Sequence, residues 1–414
     1  MNYKQLILDV IQGRPTDRIP FVPRLDLWYR SNKHNNTLPA RYKNAALMDI
    51  VQDLGVGYHA IIPNFQDMRS SDDDLHRALG IYNLWFMPYK TVLNNVKVTF
   101  DVHGDKRTVE YHTPKGNITT ETLYDARMRS AGITITHISK YAITNVKDIE
   151  AVRYIFENAT IEPNFGGYEE FKSHVGDMGV AVAFTSLAAS PMHLIQRDLA
   201  PLDVFYFLTF DNPEEVAMLV SGIQTYFDRM IDTVAVSSAE IVLSGANYDA
   251  AVTSPPFFRQ YITPSLKKQA ERLHACGKFL LTHTDGENTG LLDEYIASKF
   301  DVADSICPAP MTKLSLKNIR GIFGEKITIW GGIPSISVLE DSMSDAEFFK
   351  YIDTMMMEIE AGDHLIFSIA DTTPPAAKFG RIEYLNKIIS SFRHGRIQPH
   401  TLTEFPAKII SPMP

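Results

Sequence analysis

The 414-residue sequence is poor in cysteine, with only Cys276 and Cys307. Two cysteines cannot build a disulfide framework, and they fit a reducing compartment. No run of about 18 apolar residues occurs, which excludes a membrane-spanning helix. The first residues, MNYKQLILDVIQGRPTDR, carry acidic side chains and no long apolar stretch, so they do not read as a signal peptide. We therefore expect a cytoplasmic protein with no membrane partner.

The sequence also lacks a block of basic residues and a phosphate-binding loop. The net charge is −9 and the sequence pI is about 5.8, so nucleic acid is not an expected partner. The glycines in GDMGVAV at 176–182 do not have the spacing of a nucleotide fingerprint, and no Gly-Lys-Ser/Thr occurs. These absences argue against nucleotide-dependent chemistry.

Apolar strands alternating with helical segments are what the sequence does contain. The hydrophobic fraction of 45% is sufficient for a large core. Alternation of this kind is typical of a parallel sheet, and eight units predict a (β/α)8 TIM barrel, which we take as one domain over 1–414. The eight predicted strands are 21–25, 59–63, 180–184, 240–245, 279–283, 302–306, 327–331 and 364–369.

Residues 89–144 depart from this alternation. Polar and apolar residues alternate there, and His-Gly-Asp and Lys-Gly turns separate the runs. The pattern is typical of antiparallel hairpins. We therefore predict a β-hairpin insertion after the second βα unit of the barrel.

Ionisable residues cluster where the predicted strands end, as in FLLTHTDGEN at 279–288. His283 and Asp285 are two residues apart and share a face in an extended chain. In a (β/α)8 barrel, the active site lies at the carboxyl ends of the strands, so these residues should converge there. The residues at these ends are Asp26, Ser186, Asn247, Asp249, His283, Asp285, Glu287, Cys307, Gly331, Gly332, Asp371, Thr372 and Thr373.

Each of these residues also has a structural interpretation. A histidine at a strand end is often simply hydrogen-bonded, and a free cysteine such as Cys307 is often a small buried hydrophobe. Asp371 can be a loop-forming or helix-capping residue. Aromatic residues near the predicted mouth, Trp28 and Tyr248, can hold an aromatic ring or can pack in the core. The convergence of several such residues on one end of the barrel is what favours a functional site.

Several segments resemble the uroporphyrinogen decarboxylase superfamily. VIQGRPTDRIPFVPRLDLW at 10–28 is similar to the helix, the Gly-x-x-Pro-x-Asp-Arg-x-Pro motif and the first barrel strand with which its members begin. THTDG, IWGGIPS and IADTTPPAAKFGRI lie where that superfamily has recurring segments. The resemblance covers residues from about 5 to 395, and it implies a barrel enzyme without specifying its reaction.

One branch of this superfamily decarboxylates porphyrinogens, and its members grip substrate carboxylates with an arginine-rich segment after the first strand. In this chain the same place reads RLDLWYRSNKHN, with only Arg24 and Arg30 nearby. A decarboxylase of a porphyrinogen or of another carboxylate remains the alternative function. It would require Arg24, Arg30 and Arg69 to cluster around the mouth.

The other branch contains methyltransferases that serve corrinoid proteins. Its methylcobamide:coenzyme M members bind zinc through a His-x-Cys at the fifth strand and a later cysteine. His283 matches this pattern, Asp285 replaces the first cysteine, and Asp371 lies near the last. The hairpin insertion resembles that of the aromatic O-demethylase methyltransferases. The resemblance therefore implies methyl transfer from a small methylated donor, an aromatic methyl ether, to the cob(I)alamin of a partner corrinoid protein.

The expected site follows from this resemblance. His283, Asp285 and Asp371 are the expected catalytic residues, and with Cys307 they form the expected zinc site; without a metal they would serve as acid and orienting groups. The corrinoid should arrive on a separate protein, since no Asp-x-His-x-x-Gly motif occurs, and this predicts an open mouth. A homodimer and a non-catalytic binding barrel are further hypotheses. The expected substrate-binding residues are Asp26, Trp28, Asn247, Tyr248 and Asp249.

Overall fold

Helices and strands alternate along most of the chain. The computed structural model describes residues 2–359, 362–393 and 396–397. The α-helices are α1 Tyr3–Ile11, α2 Asp26–His34, α3 Leu47–Leu54, α4 Ala126–Ser130, α5 Ile149–Asn158, α6 Phe165–Val175, α7 Pro191–Leu194, α8 Leu202–Asp211, α9 Pro213–Ala235, α10 Pro255–Phe257, α11 Thr263–His274, α12 Leu292–Ala297, α13 Leu316–Phe323, α14 Asp345–Glu358 and α15 Phe379–Ser391. The strands are β1 Tyr89–Leu93, β2 Lys97–His103, β3 Lys106–Thr113, β4 Gly116–Leu123, β5 His137–Lys140, β6 Ala159–Pro163, β7 Ala183–Ser186, β8 Ile241–Ala246, β9 Phe279–His283, β10 Val302–Ile306, β11 Thr328–Pro334, β12 Leu365–Ala370, β13 Phe392–Arg393 and β14 Arg396–Ile397.

Six strands form one parallel sheet in the order β12-β11-β10-β9-β8-β7. Every residue of β8, β10, β11 and β12 is buried, as expected for strands covered on both faces. Helices connect the successive strands, which is the connection that parallel neighbours require. Six of the eight predicted strands therefore belong to the predicted kind of sheet.

The first predicted strand, 21–25, does not form a regular strand. A single parallel bridge joins Phe21 to Phe367 of β12, where Val22 N donates to Phe367 O at 2.8 Å and Phe367 N donates to Pro20 O at 2.9 Å. Pro20 and Pro23 have no backbone N–H, so neither residue can donate to a sheet ladder. The proline spacing therefore limits this segment to a short contact with β12.

The second predicted strand, 59–63, is likewise irregular. Gly57 N donates to Phe21 O at 2.9 Å, and Val182 N donates to Ala60 O at 3.1 Å. Isolated hydrogen bonds thus connect residues 57–60 to the first segment on one side and to the chain before β7 on the other. Pro63 ends the segment without a donor of its own. A closed eight-stranded barrel remains a prediction.

The helices begin with recognisable capping signals. Ser344 and Glu347 form a capping box at the start of α14, and α9 begins with Pro213 at its first position, followed by Glu214 and Glu215. The apolar face of α9 packs on α5 and α11. Within the part of the chain that the structure describes, no helix combines the length and apolarity needed to cross a membrane.

The segment predicted to contain antiparallel hairpins, 89–144, includes β1 to β5. β2, β3, β4 and β5 form an antiparallel sheet in that order, whereas β1 pairs with β6 outside the segment. Tyr111 of β3 is completely buried, and its hydroxyl contacts His76 Nδ1 at 3.1 Å. Arg107 of β3 also forms an ion pair with Asp74. The insertion therefore shares buried contacts with the rest of the molecule.

Candidate functional site

The register of β9 and β10 brings His283 against Asp304. These two residues are direct partners in the parallel pairing, so their side chains lie on the same face of the sheet. His283 Nδ1 is 2.6 Å from Asp304 Oδ2, and the two side chains are only 4% and 1% exposed. A buried histidine held at Nδ1 by a carboxylate has a fixed ring orientation, which leaves Nε2 for other chemistry.

Asp371 lies on the Nε2 side of His283, directly after β12. His283 Nε2 is 3.1 Å from Asp371 Oδ1, and the same oxygen accepts a hydrogen bond from Arg24 Nη1 at 3.0 Å. Ser305 Oγ donates to the Asp371 carbonyl oxygen at 3.1 Å. The pairing of β10 shifts between Asp304 and Ile306, and Ser305 has a φ of 65° there. Because of this bulge, Asp304 contacts His283 while the next residue, Ser305, contacts Asp371.

Asp285 completes the cluster from the loop after β9. One oxygen of Asp285, one of Asp371 and one nitrogen of His283 all lie within 4.8 Å of one another. Asn247 Nδ2 donates to Asp285 Oδ2 at 3.1 Å, and Arg197 Nη1 donates to Asn247 Oδ1 at 3.2 Å. Both clustered aspartates are partly exposed, so solvent or a ligand can reach the cluster.

Opposite charges control the ionisation of these groups. Burial by itself lowers the pKa of His283, but hydrogen bonds and charge from Asp304 and Asp371 outweigh burial and raise it to about 10. Burial raises the pKa of Asp304, but the hydrogen bond from His283 and the nearby His59 ring dominate and lower it to about 2. Arg24 and His283 together hold the pKa of Asp371 well below its usual range despite burial. At neutral pH His283 is therefore a buried cation between two carboxylates.

The pKa of Asp285 shifts in the opposite direction. Burial and the negative charge of Asp371 raise it above the usual value of an aspartate. Two neighbouring carboxylates with pKa values displaced in opposite directions are typical of sites that handle protons or cations. The cluster thus offers a fixed anion at Asp371 and a carboxyl that can titrate at Asp285.

The donor set of this cluster fits a divalent metal. His283 offers Nε2, and Asp285 and Asp371 offer carboxylate oxygens, which are ligand types that zinc accepts. Asp304 on Nδ1 corresponds to the outer carboxylate that commonly orients a metal-bound histidine. Binding at Nε2 would require His283 to lose its proton.

Cys307, the fourth predicted metal ligand, lies outside this group. Its Sγ is 3.7 Å from Ala370 O and 3.4 Å from Met311 Sδ. Burial raises the pKa of the thiol to about 12, with a further contribution from the charges of Asp285 and Asp371. The sulfur is therefore a thiol at neutral pH, whereas a metal ligand must be a thiolate.

Two of the predicted substrate residues, Asp26 and Asp249, already have protein partners. Asp26 Oδ1 accepts from Arg24 Nε at 3.1 Å, and it therefore helps to hold Arg24 against Asp371. Asp249 Oδ1 accepts from Ala251 N at 2.8 Å, and its Oδ2 accepts from the backbone of the loop that follows β9. Asp26 is connected to the cluster, whereas Asp249 shapes the loops around it.

The two predicted substrate-binding aromatics are buried in the core. Trp28 is 2% exposed and stacks on Phe379 with ring centroids 5.3 Å apart. Tyr248 is fully buried, and its hydroxyl is 2.7 Å from Thr282 Oγ1. Neither ring is exposed at the carboxyl-terminal edge of the parallel sheet, so we do not include Trp28 or Tyr248 in the proposed substrate site.

The sequence did not single out Asp304 or His59, and it assigned Arg24 only to the alternative decarboxylase. Asp304 sits inside an apolar strand, and only the register with β9 reveals its partner. The His59 side chain is 4% exposed, and its Nε2 lies 3.6 Å from Asp304 Oδ1. Arg24 joins Asp26 to Asp371. The only sequence pattern that could have indicated Arg24 was the number of acidic residues at the strand ends, which need a cation nearby.

Comparison with known proteins adds little to this geometry. No protein-family model matches the chain. No curated protein matches it in sequence. Among solved structures, a methyltransferase from Methanosarcina mazei aligns over 92% of this chain and 96% of its own, with 12% identity and a TM-score of 0.44. A likeness at that level carries no argument about the activity of this chain.

Proposed function

We propose that the chain is a methyltransferase that moves a methyl group from a small donor, an aromatic methyl ether, to the reduced corrinoid of a partner protein. The observation that carries the proposal is His283, held between Asp304 and Asp371 with its Nε2 among carboxylates. Demethylation of an ether needs help at the departing oxygen, and a protonated imidazole at this place would give it. The resemblance of the sequence to the corrinoid methyltransferases supports the same reaction.

His283 would act as the acid in this reaction. Its pKa of about 10 matches that of a phenol, about 10, so proton transfer to the departing phenoxide is close to balanced. The bond between the methyl carbon and the oxygen breaks, and its electron pair stays on the oxygen. The methyl group passes to the reduced cobalt of the partner's corrinoid, and the proton moves from His283 Nε2 to the oxygen. Asp304 keeps the ring oriented throughout.

The same cluster would hold zinc if the metal is the electrophile instead of the proton. His283 Nε2, Asp285 and Asp371 are the proposed ligands. Bound there, zinc would supply Lewis-acid polarisation of the ether oxygen. Arg24 and Ser305 would then fix the Asp371 carboxylate, since both contact its Oδ1.

A closed barrel would give the partner one mouth on which to dock. We propose that residues 20–22 and 57–60 take the places of the first two strands. The hydrogen bonds from Val22 to Phe367, from Gly57 to Phe21 and from Val182 to Ala60 support this arrangement. The carboxyl ends of the six parallel strands, where His283 and Asp371 lie, would then face the partner.

The alternative decarboxylase receives less support. Its arginine clamp requires free cations, but Arg24 is bound by Asp26 and Asp371. Arg69 is bound to Glu170 on an exposed part of the surface. A substrate carboxylate would have to displace protein carboxylates from Arg24 and Arg69, two of the three arginines that this function needs. We therefore place this reaction second.

Spectroscopy with reduced cobalamin tests the proposal. The purified protein is mixed with cob(I)alamin and a panel of methoxylated aromatics, methanol and methylamines, with and without zinc. We expect the cob(I)alamin absorbance to be replaced by that of the methylated form with one donor class. His283→Ala should lower the rate at least about 100-fold, because it removes the acid or metal ligand.

His103→Ala is the matched control, since His103 is 83% exposed on β2 and forms its ion pair at the surface. This variant should methylate cobalamin at the parent rate. If no donor methylates cobalamin with the parent protein, even when a candidate corrinoid protein is supplied, the proposal is wrong. A parallel assay for carbon dioxide release from uroporphyrinogen would then test the alternative.

A further inference from the structure

A cavity lies beside Asp26 and His59, which contact Arg24 and Asp304 respectively. Its volume is about 320 Å³, which lies within the usual range for small-molecule pockets. Residues 58–64, α6 and the chain around Trp85 all contribute to its lining. Asp26 and His59 line the cavity and also contact Arg24 and Asp304. His283, Asp285 and Asp371 do not line the cavity, but Asp26 and His59 connect its lining to the groups that hold them.

Aromatic rings provide much of the lining. Tyr58, Trp85, Phe86 and Phe171 all contribute to the walls. Phe86 packs on Phe171 with ring centroids 5.3 Å apart, and the Trp85 ring is perpendicular to Phe86 at 5.4 Å. Aromatic faces carry negative electrostatic potential, so several of them around one space favour a cation.

The charged residues of the cavity lining also favour a cation. Three carboxylates, Asp26, Asp67 and Glu170, face one arginine, Arg69, among the described lining residues. No described cation forms an ion pair with Asp67, unlike the other two carboxylates. The pKa of Tyr58 rises to about 12 because of burial and then because of the charges of Asp26 and Asp67. The carboxylates of the lining thus outnumber its arginine, and Asp67 is left to attract a cation.

The contacts of Arg69 show that the lining of the cavity can hold a cationic group. Its guanidinium carbon lies 3.6 Å from the centroid of the Trp85 ring, and its nitrogens form two hydrogen bonds with Glu170 at 2.6 and 3.0 Å. The Arg69 side chain is 52% exposed, so it can leave this position without crossing the core. A side chain of the protein already makes the aromatic and carboxylate contacts that a small organic cation would make.

We propose that this cavity binds a small organic cation of the alkylammonium class, with Trp85, Tyr58 and Asp67 as its main contacts. Arg69 competes with that ligand for Trp85 and Glu170. This binding site does not depend on methyl transfer at His283, and it adds a second ligand to the molecule. Through Asp26 and Arg24 the bound cation would lie next to the groups that hold Asp371.

Calorimetric titration with choline and with 3,3-dimethylbutan-1-ol tests the proposal. The two probes have nearly the same shape, but only choline is charged. We expect choline to bind roughly tenfold more tightly, which is the effect expected of a cation near aromatic rings and a carboxylate. Equal affinity for the two probes, or no binding of choline at millimolar concentrations, overturns the proposal.

Two substitutions should change choline affinity in opposite directions. Asp67→Asn removes an exposed charge and should weaken choline binding several-fold while leaving the neutral probe unaffected. Arg69→Gln removes the competing cation and should strengthen choline binding. Asp72→Asn, five residues from Asp67 and outside the lining, is the matched control and should change neither probe.

These variants keep the test independent of folding and of the reaction. Asp67, Arg69 and Asp72 are exposed, so their substitution should leave the circular dichroism spectrum unchanged. Weaker choline binding by Arg69→Gln, or an equal loss with Asp67→Asn and Asp72→Asn, contradicts the proposed contacts. Neither result would bear on the cobalamin assay, because that assay reads the His283 cluster.

Discussion

At the scale of single residues, Asp304 determines the charge of His283. Both side chains are almost completely buried, so the imidazole can remain protonated only because carboxylates face both of its nitrogens. Asp304 is the stronger partner, at 2.6 Å from Nδ1. Removal of this carboxylate would leave a buried cation with one partner, and the cost should appear in the stability of the fold.

We expect Asp304→Asn to lower the free energy of unfolding by about 3 kcal/mol near pH 5.5. His283 has its pKa raised from 6.5 to about 10, so its stabilising effect is complete below pH 6.5 and is lost as the pH rises through 10. Asp304 has its pKa lowered from 3.8 to about 2, so the same interaction is lost as the pH falls from 3.8 through 2. The difference in unfolding free energy between parent and variant should therefore shrink progressively as the pH rises from 6.5 to 10, as urea unfolding at several pH values can measure.

The exposed pair between His103 and Asp101 gives the control for this prediction. Its two side chains are 83% and 68% exposed, so water already screens their interaction. Asp101→Asn should change the free energy of unfolding by well under about 1 kcal/mol at every pH. A cost for Asp304→Asn that does not depend on pH would instead indicate lost packing and no role for the charge of His283.

Zinc binding should release a proton from His283. The imidazole is protonated at neutral pH, with a pKa of about 10, and only its neutral form can bind a metal through Nε2. Calorimetry in two buffers of different ionisation enthalpy should show release of about one proton per zinc ion at pH 7. His283→Ala and Asp371→Asn should each weaken zinc binding at least about tenfold.

Cys307→Ser distinguishes a three-residue ligand set from the four-residue set that the sequence suggested. Cys307 Sγ contacts Ala370 O and Met311 Sδ, and it does not belong to the group within 4.8 Å. Its replacement should leave zinc affinity unchanged. A loss equal to that of His283→Ala would mean that the thiol moves to join the metal.

Residue types near predicted strand ends were enough to predict that His283, Asp285 and Asp371 come together, because the carboxyl ends of parallel strands meet at one edge. They were not enough to place Trp28 and Tyr248, since an aromatic residue at such a position packs in the core as readily as it contacts a ligand. Asp304 required the pairing register, which no local pattern in the sequence specifies.

At the scale of secondary-structure elements, two segments take up predicted strand positions without forming strands. The pattern of apolar residues predicted strands at 21–25 and 59–63, but it gave no weight to Pro20, Pro23 and Pro63, which cannot donate backbone hydrogen bonds. The segments instead depend on a few backbone contacts and on close packing. That packing is tight at Gly179, where an added Cβ would lie 2.2 Å from Tyr58 O.

Gly179→Ala should lower the free energy of unfolding by about 2 kcal/mol, because the added methyl group meets backbone that cannot rotate away. Gly321→Ala is the matched control: no atom lies within 4 Å of its added Cβ, and it sits inside α13. This change should be stabilising by about 0.5–1 kcal/mol. Thermal and urea unfolding of both variants would measure the contrast, and equal effects would mean that 57–60 does not need its contact with 178–182.

At the scale of the whole molecule, the antiparallel sheet β2 to β5 is joined to the parallel sheet by buried contacts. Tyr111 and Ile118 belong to the same apolar core as the strands of the parallel sheet. Asp74, 5% exposed, pairs with Arg107 across this junction. A surface module held by a linker would have few such contacts. The insertion should therefore not behave as a separate domain.

Native-state hydrogen exchange can measure whether the insertion and the parallel sheet unfold together, because it gives the opening free energy of each segment. Amides of β3 and of β9 should lose protection at the same urea concentration, since opening of either sheet exposes the core around Tyr111.

Arg107→Ala would leave Asp74 as a buried unpaired carboxylate, so it should lower the opening free energy of both segments together. Lys106→Ala, whose partner Glu121 lies on the exposed face of the same sheet, should lower neither by more than about 1 kcal/mol. Earlier exchange in β3 alone would instead show that 89–144 unfolds on its own, and the chain would then contain two cooperative units.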